Sequence, residues 1–122
     1  MRTSLNTESG ISPSYLSKGD KIAIVATARK ISREEVQPAV EILKSWGLEV
    51  VLSDNLFHTD NQFSGTDNER TQDLQTMLDD ASVKAIIIAR GGYGTVRIID
   101  EIDFTNFKKH PKWIIGYEKP AL

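Results

Sequence analysis

The sequence predicts an α/β domain with a mostly parallel open sheet and helices on both faces. Three observations carry that expectation. Short apolar runs bounded by charge, KIAIVA at Lys21–Ala26 and AIIIA at Ala85–Ala89, read as strands buried on both sides, the mark of parallel sheets. Segments with apolar residues at helical spacing, each opened by a capping box, lie between such runs. Strand and helix alternate along the chain with no internal repeat, a pattern that calls for crossover connections and a layered α/β architecture.

Met1–Ser14 is polar, has no apolar core of a signal peptide and reads as a flexible lead-in; residues 15–122 form the domain. Lys18-Gly19-Asp20 is a turn into the first strand, Lys21–Ala26. Ser32 with Glu35 three residues on is a capping box, after which Val36, Ala39, Val40 and Leu43 share a helical face. Pro38 falls early in this helix, where proline is tolerated. Gly47 ends it, and Leu48–Leu52 is the second strand. Ser53–Gly65 is polar and irregular, with Phe57 and Phe63 embedded in it. Thr66 with Glu69 is the second capping box; Arg70, Leu74, Met77 and Leu78 follow on one face, and Asp79-Asp80 closes the helix. Ala85–Ala89 is the third strand. Thr95 opens a short helix bearing Val96, Ile98 and Ile99, and Asp103 opens another with Phe104 and Phe107 inward. His110-Pro111 stops it, since the residue before proline avoids the helical region. Lys112–Ile115 is the fourth strand, and Gly116-Tyr117 starts a turn. Trp46 and Trp113 are expected in the core.

The bulk properties narrow the function. A chain of 122 residues is one domain and buries roughly 65% of its unfolded surface. Net charge is −2 with 26% charged residues, which offers no electrostatic footprint for nucleic acid or an anionic membrane. There is no cysteine, so disulfides, thiolate metal sites and cysteine nucleophiles are excluded; this fits the cytoplasm. No apolar stretch reaches the roughly 20 residues of a membrane span. Two histidines, His58 in the polar loop and His110 before a proline, have no metal-ligand spacing and read as surface residues. Asp79-Asp80 and Asp100-Glu101-Asp103 read as solvated helix ends. No metal or cofactor site is expected.

The candidate site is Arg90-Gly91-Gly92-Tyr93-Gly94, a glycine-rich bend at the end of a buried strand. Open α/β sheets bind their ligands outside the carboxyl ends of their strands. A dinucleotide site is disfavoured. The first strand-to-helix turn, Thr27-Ala28-Arg29-Lys30, has no glycine, and Gly92–Arg97 gives G-x-G-x-x-R with arginine where a small residue is needed. No phosphate-binding G-x-x-x-x-G-K-[ST] run exists. Two readings of the bend stand. One is a tight strand-to-helix turn; the other is a concavity of backbone N–H groups that holds an oxyanion or a carboxylate. Arg90 fits either a carboxylate partner or a structural ion pair.

These residues resemble the LD-carboxypeptidases, the murein tetrapeptide carboxypeptidase group of serine peptidases. The resemblance rests on K-G-D-K-I-A-I-V-A at Lys18–Ala26, L-K-S-W-G-L-E-V at Leu43–Val50, F-S-G-T-D-N-E-R-T-Q-D-L-Q at Phe63–Gln75, R-G-G-Y-G-T-V-R at Arg90–Arg97 and P-K-W-I-I-G-Y at Pro111–Tyr117. Microcin-immunity peptidases share the pattern. The resemblance implies the N-terminal nucleophile domain of a two-domain peptidase that removes the terminal D-alanine from cell-wall peptides by a Ser-Glu-His triad, without a metal. It also implies a serine directly after Gly-Tyr on a strand-to-helix elbow, an oxyanion donor at Gly91 or Gly92, and Glu and His supplied by a second, C-terminal domain.

The chain departs from that pattern after Tyr117. Glu118 occupies the serine position and Lys119 the aspartate position that follows it, with Pro120 next. The C-terminal domain is read as absent, and His58 and His110 do not replace the missing base. The expectation is therefore a chain that is inactive by itself, whether as a frame-disrupted product, an excised N-terminal domain or a natural single-domain relative. The alternative function is a non-catalytic module that keeps Arg90, Gly91, Gly92 and Tyr93 as a cradle for a peptide or carboxylate. Apolar surface left by a missing domain would favour a homodimer.

Overall fold

The computed structural model describes residues 2–4, 16–28, 30–58, 65–89, 98 and 100–117. Five strands form one sheet: β1 (Arg2–Ser4), β2 (Lys21–Val25), β3 (Glu49–Leu52), β4 (Val83–Ala89) and β5 (Trp113–Tyr117). Their order is β1-β5-β4-β2-β3. The four strands β2 to β5 are mutually parallel, and β1 runs antiparallel along β5. Among the described residues, the connecting helices with both ends described are α1 (Arg33–Ser45), α2 (Asp67–Asp79) and the short α3 (Thr105–Lys109).

Both long helices start where the sequence places them. The Ser32 side chain accepts from the Glu35 backbone N–H at 3.2 Å while the Glu35 carboxylate accepts from the Ser32 N–H. Thr66 and Glu69 make the same reciprocal pair. Each box satisfies two donors that a helix start leaves open. Pro38 sits inside α1. Gly47 follows the α1 cap with φ +84°, and a Cβ there would meet Lys18 Cγ at 2.8 Å, so both backbone and space call for glycine.

The strands alternate their side chains between two cores. Ile22 and Ile24 of β2, with Ala85, Ile87 and Ala89 of β4, pack under Val36, Val40 and Leu43 of α1. Ala23 and Val25, with Val83 and Ile86, pack against Leu74, Met77 and Leu78 of α2, joined by Ile98, Ile102 and Phe107. A register shift opposite Lys21/Ile22 makes Lys84 the extra residue on β4; this bulge turns Val83 and Ile86 to one face and leaves Lys84 exposed. Helices on both faces follow from the right-handed crossover, because β3 and β4 lie on opposite sides of β2.

The structure differs from expectation in several places. The lead-in contributes Arg2–Ser4 as a strand, which satisfies the open outer edge of β5. β4 starts at Val83, and β5 runs on through Gly116 and Tyr117, where a turn was expected. Trp46 is 59% exposed rather than core, because it is the cap residue of α1 and lies past the last inward position. Trp113 is half-buried against the α1-side core. Asp103 holds the entry to α3 from one residue outside the cap, accepting from the Thr105 N–H and hydroxyl. The expected helix from Thr95 and the position of Phe63 lie outside the described residues, except that Ile98 is helical and buried.

Candidate active site

The direction of chain travel reverses at β2. From β2 the chain moves outward to β3, then returns to the other side for β4 and β5. The carboxyl ends of β2 and β4 therefore flank a topological switch point, where an open α/β sheet leaves a crevice. The glycine-rich run begins one residue past β4. The position after Gly116-Tyr117 begins one residue past β5, and Ala89 pairs with Tyr117. The carboxyl ends of β4 and β5, the strands that precede the two motifs in sequence, thus lie side by side at one edge and at the same height. Arg90, Gly91, Gly92, Tyr93 and Glu118 themselves lie outside the described residues.

The described part of this edge is fixed by the first turns of α2. Arg70, only 1% exposed, donates from Nε to the Thr27 carbonyl at 2.9 Å, from Nη1 to the Gly65 carbonyl at 2.8 Å and from Nη2 to Asp67 Oδ1. Its planar fork suits this divergent set of acceptors. Thr27 belongs to the turn after β2, and Gly65, at φ +81°, precedes the Thr66 cap. One buried guanidinium thereby ties the β2 turn to the start of α2. The next inward residue, Asp73, accepts from the backbone and side-chain N–H groups of Asn55 at 3.0 Å and 2.8 Å, which fixes the loop after β3. Glu69 accepts from Thr66 N and lies 2.6 Å from His58 Nδ1. The Thr66 backbone N–H, and next the His58 side chain, hold the Glu69 carboxyl below its ordinary range.

Arg70, Glu69 and Asp73 were not marked as positioning residues by sequence. Their signal was available: Arg70 falls on the same helical stripe as Leu74, Met77 and Leu78, and a charge on an apolar stripe needs buried partners. His58 is an exposed loop residue that orients on Glu69. His110 is exposed beyond α3, at the end of the sheet opposite the carboxyl end of β4. Among the described residues no group of His, Asp and Glu side chains is arranged to hold a metal ion, and no helix is long and apolar enough to cross a membrane. What the described residues offer is two adjacent strand ends, those of β4 and β5, aligned at an edge where Arg70 ties the β2 turn to the start of α2.

Residues 22–118 match the family described as LD-carboxypeptidase N-terminal domain. Among curated proteins, a probable murein peptide carboxypeptidase of Bacillus subtilis (strain 168) is 39% identical over 105 residues, covering 86% of this chain and 33% of that protein. A putative carboxypeptidase of Synechocystis sp. is 32% identical over 88% of the chain and 36% of its own length. Among solved structures, an MccF-like protein from Bacillus anthracis superposes with a TM-score of 0.79 at 30% identity, covering 87% of this chain and 33% of that one. Muramoyltetrapeptide carboxypeptidase from Oxalobacter formigenes gives 0.66 at 31% identity over 80% of this chain and 33% of its own. The chain spans about a third of the length of the curated relatives it matches.

Proposed function

Because this chain belongs to the LD-carboxypeptidase family through its N-terminal domain, we propose that it forms the sheet edge from which such an enzyme presents its nucleophile and its oxyanion donors. The whole enzyme is a serine-type hydrolase of the cytoplasm that removes the terminal D-alanine of murein tetrapeptides during cell-wall recycling. The observation that carries this reading is the pairing of Ala89 with Tyr117. It supports the reading because the glycine run follows Ala89 in sequence, and the position where the family resemblance puts serine follows Tyr117. An N–H of Gly91 or Gly92 then faces the carbonyl that a nucleophile after Tyr117 attacks, and donors aimed at a developing oxyanion are the largest electrostatic contribution in acyl transfer. Tyr93 and Arg90 lie in the same run and are assigned to the peptide.

This polypeptide by itself does not turn over. Glu118 stands at the serine position, and a carboxylate there does not form the serine acyl-enzyme of the scheme. Loss of the nucleophile alone leaves only the residual contribution of binding and the oxyanion site. Glu118 also favours a second reading, in which the edge binds a peptide or its carboxylate without cleaving it.

One experiment separates the cases. The pure chain is incubated with a tetrapeptide ending in meso-diaminopimelyl-D-alanine, free D-alanine is assayed, and binding is followed by calorimetry for the chain and for Gly92→Val. No D-alanine release is expected. Steady release overturns the assignment of Glu118 as an inactive replacement. Saturable binding that disappears in Gly92→Val establishes the binding reading, and absence of binding at millimolar peptide removes it.

A further inference from the structure

β3 is an edge strand, paired with β2 on one side and open on the other. The Glu49 N–H donates to the Asp20 carbonyl and the Ser53 N–H to the Ile24 carbonyl. Alternate residues of a strand turn their backbone groups to the same neighbour, so Val51 also faces β2. Val50 and Leu52 turn their N–H and C=O groups outward, a row of donors and acceptors ready for another strand. The stretch is short, but no proline, lysine or bulge blunts it. The side chains divide between the two faces: Val50 and Leu52 pack on the α1 side and Val51 on the α2 side.

The two faces beside this edge carry opposite charge. On the α1 side a hollow of about 180 Å³ is walled by Val50, Leu52 and Phe57 together with Arg33 and Lys44. Arg33 lies over the Phe57 ring, 4.5 Å from its centre. Among the described residues neither cation has a carboxylate within ion-pair distance, and Glu34 and Glu41 of the same helix do not line the hollow. On the α2 side a hollow of about 230 Å³ is walled by Asp54, Asp73, Gln72 and Thr76, with no cation in its lining. Asp73 is held by the neutral N–H groups of Asn55, and Asp54 is exposed. Both hollows are below the size that takes a small-molecule ligand, but each accepts a side chain.

We propose that the open edge of β3 takes an extended segment of another protein as an added strand, with acidic residues on its α1 face and a basic residue between them on its α2 face. The outward backbone groups of Val50 and Leu52 supply the attachment, as in other strand additions. Side chains alternate along the added strand. The residues beside Val50 and Leu52 therefore reach Arg33 and Lys44, and the residue beside Val51 reaches Asp54 and Asp73. Charge also argues against a second copy as the occupant. A two-fold β3–β3 pair sets basic wall against basic and acidic against acidic, and like charges across a strand pair destabilise it. β2 and β4 separate this edge from β5, and the proposal does not depend on the peptidase reading.

The probe is the peptide acetyl-Thr-Val-Glu-Lys-Glu-Val-Thr-amide, which reads the same in either strand direction. Its match is the charge-swapped acetyl-Thr-Val-Lys-Glu-Lys-Val-Thr-amide. Each is titrated into the isotope-labelled chain at constant ionic strength, and amide shifts and exchange are followed. With the first peptide the Val50 and Leu52 amides should move saturably and exchange more slowly, while Val51, already turned to β2, keeps its protection. The swapped peptide should bind about tenfold more weakly or worse, as three exposed charge pairs turn repulsive. Its net positive charge would favour it on a chain of net charge −2, so overall charge does not explain that order. Proline is tolerated on an edge strand where the N–H faces solvent; Val50→Pro should therefore keep the remaining spectrum native and weaken binding by about tenfold or more. Should that variant fail to fold, Arg33→Ala combined with Lys44→Ala serves, and should cut the preference between the peptides by about threefold or more. No saturation at millimolar peptide, equal affinity for the two peptides, or unchanged exchange of Val50 and Leu52 would each overturn the proposal. Protection of these amides that rises with protein concentration alone would replace it with self-pairing.

Discussion

Ala89 and Tyr117, the last residues of two neighbouring parallel strands, are register partners. Their strands are the inner members of the sheet on this side, with β1 outside them. Amide exchange should rank accordingly. The Ile87 and Ile115 amides should open only with global unfolding, whereas Thr3 on β1 should exchange through local fraying. Equal protection of Thr3 and Ile87 in native-state hydrogen exchange would contradict this ranking.

Arg70 is the residue whose loss should be felt most strongly. Arg70→Ala strands the Thr27 and Gly65 carbonyls and is expected to cost about 3–5 kcal/mol, as for breaking a buried charged network. Arg70→Lys keeps the charge but cannot serve three diverging acceptors, and should cost about 2 kcal/mol. Urea midpoints of the two variants check both values. A loss below half a kilocalorie in the alanine variant would mean that Arg70 does not hold the β2 turn.

The Glu69 carboxyl predicts a pH signature. Its folded-state value lies below 4.5, the ordinary value for a glutamate, because of the Thr66 N–H and then His58. Below 4.5 the unfolded chain therefore binds the proton first, so stability rises with pH through this window. The contribution is complete above 4.5 and is lost as pH falls through the folded-state value. Glu69→Gln keeps an acceptor for the capping box and removes the charge. Its stability–pH curve should be flatter than that of the parent on the acid side, the slopes from Asp80 and Asp103 remaining in both. Parallel curves would rule out Glu69 as the source.

Two large apolar residues should behave oppositely. Ile86 of β4 is wholly buried between the sheet and α2, and Trp46 is 59% exposed. Ile86→Ala should cost about 2–5 kcal/mol through lost transfer and a cavity. Trp46→Ala should stay within about 0.5 kcal/mol, the usual range for surface changes. Thermal melts of both variants test the contrast.

The layered fold was legible because its signals are local. Ser32 with Glu35 and Thr66 with Glu69 mark helix starts within four residues, and the apolar runs at β2 and β4 announce burial on both faces. Trp46 was misread because size and apolarity suggest burial, while its position at the end of α1 decides otherwise. β1 was missed because nothing in Arg2-Thr3-Ser4 names a partner more than a hundred residues away. The candidate site was legible as a motif, and the crevice that gives it meaning came from strand order, which no window of sequence contains. Arg70 sat in view on an apolar stripe, yet its acceptors come from the β2 turn and from Gly65, so its role became visible only once the loops were in place.

The placement of β5 between β1 and β4 has a kinetic consequence. Thr3 pairs with Ile115, so Arg2–Ser4 waits for a strand more than a hundred residues further on before this edge of the sheet can close. During synthesis, β2, α1 and β3 can condense as a unit while Arg2–Ser4 stays unpaired and β4 shows an open flank. Such high contact order slows folding and prolongs exposure of strand edges. A ribosome stalled before β5 emerges should therefore carry a chain that is protease-sensitive around Arg2–Ser4 and resistant over the β2–β3 unit.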